Sequence, residues 1–173
     1  MSNSETFKAQ TAEQRSEDIL VSFASKWRMP LLNNAVKCVF RRRYPKTFVP
    51  KRLVIYLAAP QSEIVGYFEI KDLRSMKIDE ALALRNVSGV SDKELKDYYQ
   101  GYEEMGCYTV RQAKIYDSPI KLALLRSEWG FYPPQSFVSL SISASDWVDR
   151  ISEGHANKID PLGKNFPSKG LKK

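Results

Sequence analysis

The sequence predicts an α+β domain, a small mixed sheet with flanking helices. Three observations carry this reading. Short, nearly continuous apolar runs suit strands, the middle of the chain switches to a helical period, and the order β-α-β-β-β-α-α-β-β-β-α does not alternate as a doubly wound sheet would. At 173 residues the chain makes one domain that can bury roughly two-thirds of its unfolded surface.

Residues 1–18 are polar, without a sustained apolar period, and are expected to form a flexible leader ahead of a single domain over 19–153. Residues 19–23 read as a strand, followed by a helical turn from Ser25 on which Trp27 and Leu31 share a face and which Pro30 cuts short. A strand over 36–42 ends in Arg41-Arg42-Arg43 and a Tyr44-Pro45 turn. The run 53–59 is apolar enough for a strand buried on both faces, and 64–70 follows as its neighbour.

Residues 79–87 are helix-like, and Ser91 with Glu94 forms a capping box that opens a second helix. Leu95, Tyr98, Tyr99 and Tyr102 make one helical stripe, assigned to the core. Strands are expected again over 107–115, 120–125 and 135–140, and Ser145 is expected to cap a last helix carrying Trp147, Val148 and Ile151. The Lys-rich residues 154–173 are expected to be a disordered tail.

Charge is the most informative arithmetic. Residues 19–62 hold nine basic residues and no acidic one, the tail adds a net +4, and the remainder sums to −6, giving +7 in all. A 44-residue stretch without a carboxylate favours a polyanion partner. A solvated basic face is the bland alternative.

Much catalytic chemistry lacks its residues. The one histidine, His155, lies in the tail, so a serine triad or a His-built zinc site has no basis, and no metal or cofactor is expected. Cys38 and Cys107 form no CxxC pair, neither GxGxxG nor a P-loop occurs, no run is long enough to span a bilayer, and the N-terminus lacks a secretion-signal layout. Reduced thiols, a cytoplasmic location and no membrane partner are the expectation.

What remains is the basic strand. Lys37, Val39, Arg41 and Arg43 share one parity and Cys38, Phe40 and Arg42 the other, so the apolar pair puts Arg41 and Arg43 on the open side or lining a cleft. Guanidinium groups grip phosphate bidentately, and Trp27 or Tyr44 can stack a base. Lys26, Trp27, Lys37, Arg41, Arg43, Lys46, Lys51 and Arg52 are the candidate nucleic-acid-binding residues.

These segments together carry a family resemblance. The strand at 19–23, the turn around Trp27, the Lys37…Arg43 strand and the runs 54–60 and 64–70 resemble the ASCH branch of the PUA-like superfamily. Tyr99-Gln100-Gly101-Tyr102, the strand from Cys107, Ser118-Pro119-Ile120-Lys121-Leu122 and Pro133-Pro134-Gln135-Ser136-Phe137 are similar to a prokaryotic ASCH-like group, of which members with an added helix-turn-helix are labelled transcriptional regulators. The resemblance covers about residues 19–141. It implies a small β-barrel with helices at its ends and a cleft for RNA or a modified base, with Ser22, Gln135 and Ser136 as pocket residues.

Some ASCH proteins are amidohydrolases on acetylated cytidine or are reported as ribonucleases, with a Gly-x-Lys-x-x-Glu-x-Arg strand. Here Asn34, Val36 and Val39 replace the Gly, Lys and Glu, and only Arg41 matches, with Lys37 one residue from the lysine position. The expected function is therefore nucleic-acid binding, RNA over DNA because the implied fold offers a pocket instead of a recognition helix. The alternative is an amidohydrolase or ribonuclease using Lys37 and Glu69. A third possibility is a module whose basic face docks an acidic protein.

Overall fold

The computed structural model describes residues 15–154. The leader expected over 1–18 lies mostly outside the described residues, as does the tail. Six strands, β1 (Arg15–Phe23), β2 (Cys38–Arg41), β3 (Arg52–Leu57), β4 (Glu63–Lys77), β5 (Glu104–Lys121) and β6 (Phe137–Ser141), form one sheet in the order β2-β5-β4-β3-β1-β6. Only β1 and β3 run parallel; every other pair is antiparallel, so the sheet is mixed and the class is α+β.

The dominant feature is the β4–β5 ribbon, paired from Glu63–Lys121 to Lys77–Glu104 with register shifts near Ile64, Phe68 and Ile70. Such bulges bend a ribbon and sharpen its twist. Gly66 sits at the first of them, where a Cβ would overlap the Lys114 carbonyl oxygen, so the two backbones approach as only glycine permits. The far half of the ribbon carries β2, and the bend swings the end of β2 against the end of β1. There Arg41 Nη2 donates to the Ser22 carbonyl at 3.0 Å. β2 and β6 are the sheet's two edges, so the barrel expected from the resemblance is a curled, open sheet whose seam is bridged by a side chain.

Alternation then sorts the core. Ile19, Val21 and Phe23 point into the curl with Val39, Leu53, Ile55, Phe68 and Tyr108. Leu20, Val54, Tyr56 and Ile64 face the other way, under α5 (Leu122–Trp129) and α6 (Ile142–Ser152). At the ribbon's far end Cys38, Phe40, Met76 and Cys107 pack against α2 (Ile78–Ala83) and α4 (Asp92–Tyr99). β3 is buried on both faces, as its apolar run requires.

The structure departs from the sequence reading in identifiable places. β1 begins at Arg15 because Asp18, counted with the leader, is buried against Arg52. The strand expected over 120–125 is absent: β5 continues through Ser118-Pro119 to Lys121, and the residues after it form α5, whose Leu122, Leu125 and Trp129 follow a helical period. The helix expected over 79–87 is two, α2 and α3 (Arg85–Ser88), which meet at Leu84. Ser141 caps α6 by accepting from the Ala144 N–H at 3.1 Å, while Ser145 lies a turn inside.

That Ser145 donates to Asp18, which also takes Arg52 Nη2 at 2.6 Å; Arg52 Nη1 reaches Asp149 at 3.0 Å. This network joins β1, β3 and α6. Burial opposes the Arg52 charge, but Asp18 and Asp149 outweigh it and hold the guanidinium above its ordinary range. Breaking such an enclosed pair strands a charge. Asp18→Ala should therefore lower the unfolding free energy by about 2–4 kcal/mol in a urea titration. Lys51→Ala, which removes an exposed pair with Glu17, should leave the urea midpoint essentially unchanged.

Candidate functional site

The seam between β2 and β1 opens into a cavity of about 420 Å³, lined by β2, by Phe23 at the end of β1 and Trp27 after it, and by α3, α4 and the turn between them. Its size suits a small ligand such as a nucleoside. Trp27 ends a 3-10 turn (Ser25–Trp27) that leads into α1 (Arg28–Leu32), kept to five residues with Pro30 inside it. Gly89 adopts φ +72°, and a Cβ there would lie 3.3 Å from the Trp27 ring, so a left-handed glycine both ends α3 and leaves room for the indole. Lys26 ties this turn to α4 through Glu94 at 2.6 Å. The Lys26 ammonium, then the Ser91 groups of the capping box, hold the Glu94 carboxyl down at about 2.

Arg41 is the inner wall. It sits on the parity of Val39, turned toward the interior, with its guanidinium carbon 4.5 Å from the Phe23 ring centroid. Burial pulls its pKa below the ordinary arginine range, and the Tyr98 and Tyr108 hydroxyls oppose that shift. No carboxylate pairs with it among the described residues. Arg41 Nε is buried without a hydrogen-bond partner, and so is the Tyr108 hydroxyl of the same core cluster; Ser22 Oγ, also unpartnered, is on the other face of β1 with Leu20 and Tyr56, and Ser22 lines neither cavity. An idle guanidinium donor and an idle tyrosine hydroxyl make a polar nest at the edge of an aromatic cavity. Native proteins leave few such atoms, because each costs about 1–3 kcal/mol.

The other expected residues divide. Lys26 and Trp27 line the same cavity as Arg41. Arg43 is exposed, just past the end of β2, and so does not share the strand parity given to it. Lys46 stands 3.7 Å over the Tyr44 ring, and Lys51 pairs with Glu17. Arg52, grouped with the phosphate-binding residues, is instead enclosed by Asp18 and Asp149. The acid-free stretch is thus not acid-free in space: carboxylates from elsewhere in the chain neutralise Lys26, Lys51 and Arg52. Gln135 and Ser136 line neither cavity; they precede β6, whose Phe137 pairs with Val21.

Lys37 and Glu69 do meet, but elsewhere. They line a second cavity of about 550 Å³ at the bend of the ribbon, with Lys71, Arg111, Gln112 and Lys114. Glu69 is occupied there by Lys114 at 3.2 Å and Arg111 at 3.8 Å.

Sequence reasoning missed α4's part in the site. Glu94, Asp97 and Tyr98 line the first cavity, and Arg42 lies between the Tyr98 and Tyr102 rings, at 4.5 and 5.1 Å, while its Nε donates to the Tyr98 carbonyl. The tyrosine stripe therefore splits: Leu95 and Tyr99 enter the core, and Tyr98 and Tyr102 clamp an arginine. The signal was present, since a stripe of aromatics beyond core needs next to a basic run suggests cation–π pairing.

Cys38 also lines this cavity, and it contacts the fully buried Cys107 across the β2–β5 pair. The Cys107 thiol donates to Cys38, whose pKa is pulled down with help from Arg74, while that of Cys107 rises. Iodoacetamide should label Cys38 first, faster from pH 6 to 8, with Cys107 protected until denaturant is added. Peptide mass spectrometry showing Cys107 labelled first, or both together, would contradict this arrangement.

No family model and no curated protein matches the sequence. Solved structures do match. The ASCH protein of Zymomonas mobilis superposes with a TM-score of 0.72 at 20% identity, covering 78% of this chain and 95% of that one. A serine-to-alanine mutant of the same protein gives 0.71 at 20% identity, over 79% and 97%. A hypothetical protein from Leishmania major is similar more distantly, with a TM-score of 0.53 at 13% identity over 82% and 98%. The six-stranded mixed sheet with its flanking helices is an ASCH-like fold.

Proposed function

We propose that this domain binds single-stranded or structured RNA, taking a base into the cavity between β2 and β1. The observation that carries the reading is Arg41: a buried guanidinium with no carboxylate among the described residues, an unused Nε–H, and the Tyr108 hydroxyl unsatisfied nearby. A nucleobase carbonyl offers the acceptor such a nest lacks, and the partly exposed Trp27 offers a ring on which a base can stack. The cavity's charges favour a base over a phosphate. Lys26, Arg41 and Arg42 face Glu94 and Asp97, an excess of one positive charge. The ASCH-like fold supports the same reading by analogy of architecture.

The hydrolase alternative needs a carboxylate where Val39 is buried in the core. Lys37 and Glu69 lie away from Arg41, and Glu69 is ion-paired. Turnover of acetylated cytidine or RNA that Lys37→Ala abolishes, with surface lysine changes harmless, would favour that reading instead.

The test is anisotropy with fluorescein-labelled RNA decamers of mixed sequence. Arg41→Met should weaken binding at least about tenfold, the value of a charge-assisted hydrogen bond, and Arg41→Lys should not restore it because lysine lacks the planar fork. Stability should change by less than about 1 kcal/mol, since the lost bond to Ser22 is offset by removal of an unsatisfied donor. Trp27→Ala should cost a further factor of about ten through lost stacking. Wild-type affinity in Arg41→Met would sink the proposal.

A further inference from the structure

The second cavity differs from the first in its charge. Lys37, Lys71, Arg111 and Lys114 surround a single carboxylate, Glu69, an excess of three positive charges against one in the first cavity. Its polar side chains are exposed, Arg111 and Lys114 by 62% and 61%, so the groups meet solvent and are not packed away. Of the four cations only Lys37 belongs to the acid-free stretch of the sequence. The groove is assembled by folding: the bulges that bend the ribbon bring the middle of β4 and of β5 alongside the start of β2.

The two cavities flank one strand. Val36 and Cys38 line the first and Lys37, between them, lines the second. A ligand whose base sits in the first cavity thus has a strongly positive groove one residue away. A free nucleoside has nothing to place there, whereas a polynucleotide has phosphates.

Resting on the base-binding reading, we propose that the second groove is a phosphate-binding site, in which Lys37, Lys71, Arg111 and Lys114 hold the phosphates of the strand that flank the bound base. Glu69 positions Arg111 and Lys114 and is not itself a contact to the strand. Two sites of unequal charge then divide the work: the nearly balanced one reads a base, and the basic one supplies most of the salt dependence.

The experiment measures the affinity of full-length protein for labelled oligouridylate and oligoadenylate decamers between about 50 and 200 mM salt. Each phosphate neutralised on a single strand contributes about 0.7 to the slope of log K against log salt. The triple variant Lys71→Gln, Arg111→Gln, Lys114→Gln should flatten that slope by about 2 and weaken binding at least about tenfold near 0.1 M salt. The charge-matched control Lys96→Gln, Arg126→Gln, Arg150→Gln, on α4, α5 and α6, should leave both unchanged, and circular dichroism checks that each variant is folded. An unchanged slope in the first triple, with Arg41→Met still impairing binding, overturns the groove alone. Failure of the wild type to bind either decamer overturns the base-binding reading and this one with it. Displacement of the decamers by polyglutamate as readily as by unlabelled RNA would overturn the polynucleotide in favour of an acidic protein.

Discussion

The close approach of Gly66 to the Lys114 carbonyl, and the bulges that follow it, set the rest of this structure. A straight β4–β5 ribbon would leave β2 far from β1 and the sheet as an extended, two-edged surface. Bent, it folds its own far half back and brings Arg41 onto β1, the guanidinium on the Ser22 carbonyl and over the Phe23 ring. Both cavities are consequences of that bend. One is the unzipped seam, and the other is the hollow of the elbow itself.

Energetics explain why the seam reads as a site and not as a packing defect. Elsewhere the fold encloses a charge only with its partners: Arg52 takes two carboxylates and stacks on Tyr67. Arg41 is treated oppositely, desolvated against Phe23 with an idle donor and the idle Tyr108 hydroxyl at hand. At about 1–3 kcal/mol for each unmet buried group, that arrangement consumes a sizeable share of a typical domain's stability. An apolar residue at this position would relieve the cost, and the seam keeps an arginine instead.

The sequence made the strands of the curl legible because they alternate or run apolar, and it marked Arg41 and Trp27 through the concentration of charge around them. It misjudged charge in space. Nine cations without a neighbouring carboxylate read as one unneutralised face, yet Asp18, Glu17, Glu94 and Asp149 arrive from β1, α4 and α6 to neutralise three of them. The converse error concerned Lys71, Arg111 and Lys114. Lys71 sits between Glu69 and Asp72, Arg111 and Lys114 are isolated cations outside the basic stretch, and only the register of β4 with β5 gathers them beside Lys37. Long-range pairing carries both effects, and local periodicity holds no record of it. The same holds for residues 120–125, where apolar composition fits strand or helix and packing under α6 decides.

Arginine Nε resonances of ¹⁵N-labelled protein test the central claim most directly, because Arg41 and Arg52 serve as paired reporters, one idle and one engaged. On addition of a single-stranded RNA decamer the Arg41 Nε–H signal should shift and become protected from solvent exchange, while the Arg52 signal stays in place. RNA binding with the Arg41 signal unmoved would contradict the account, since the base would then lie outside the seam.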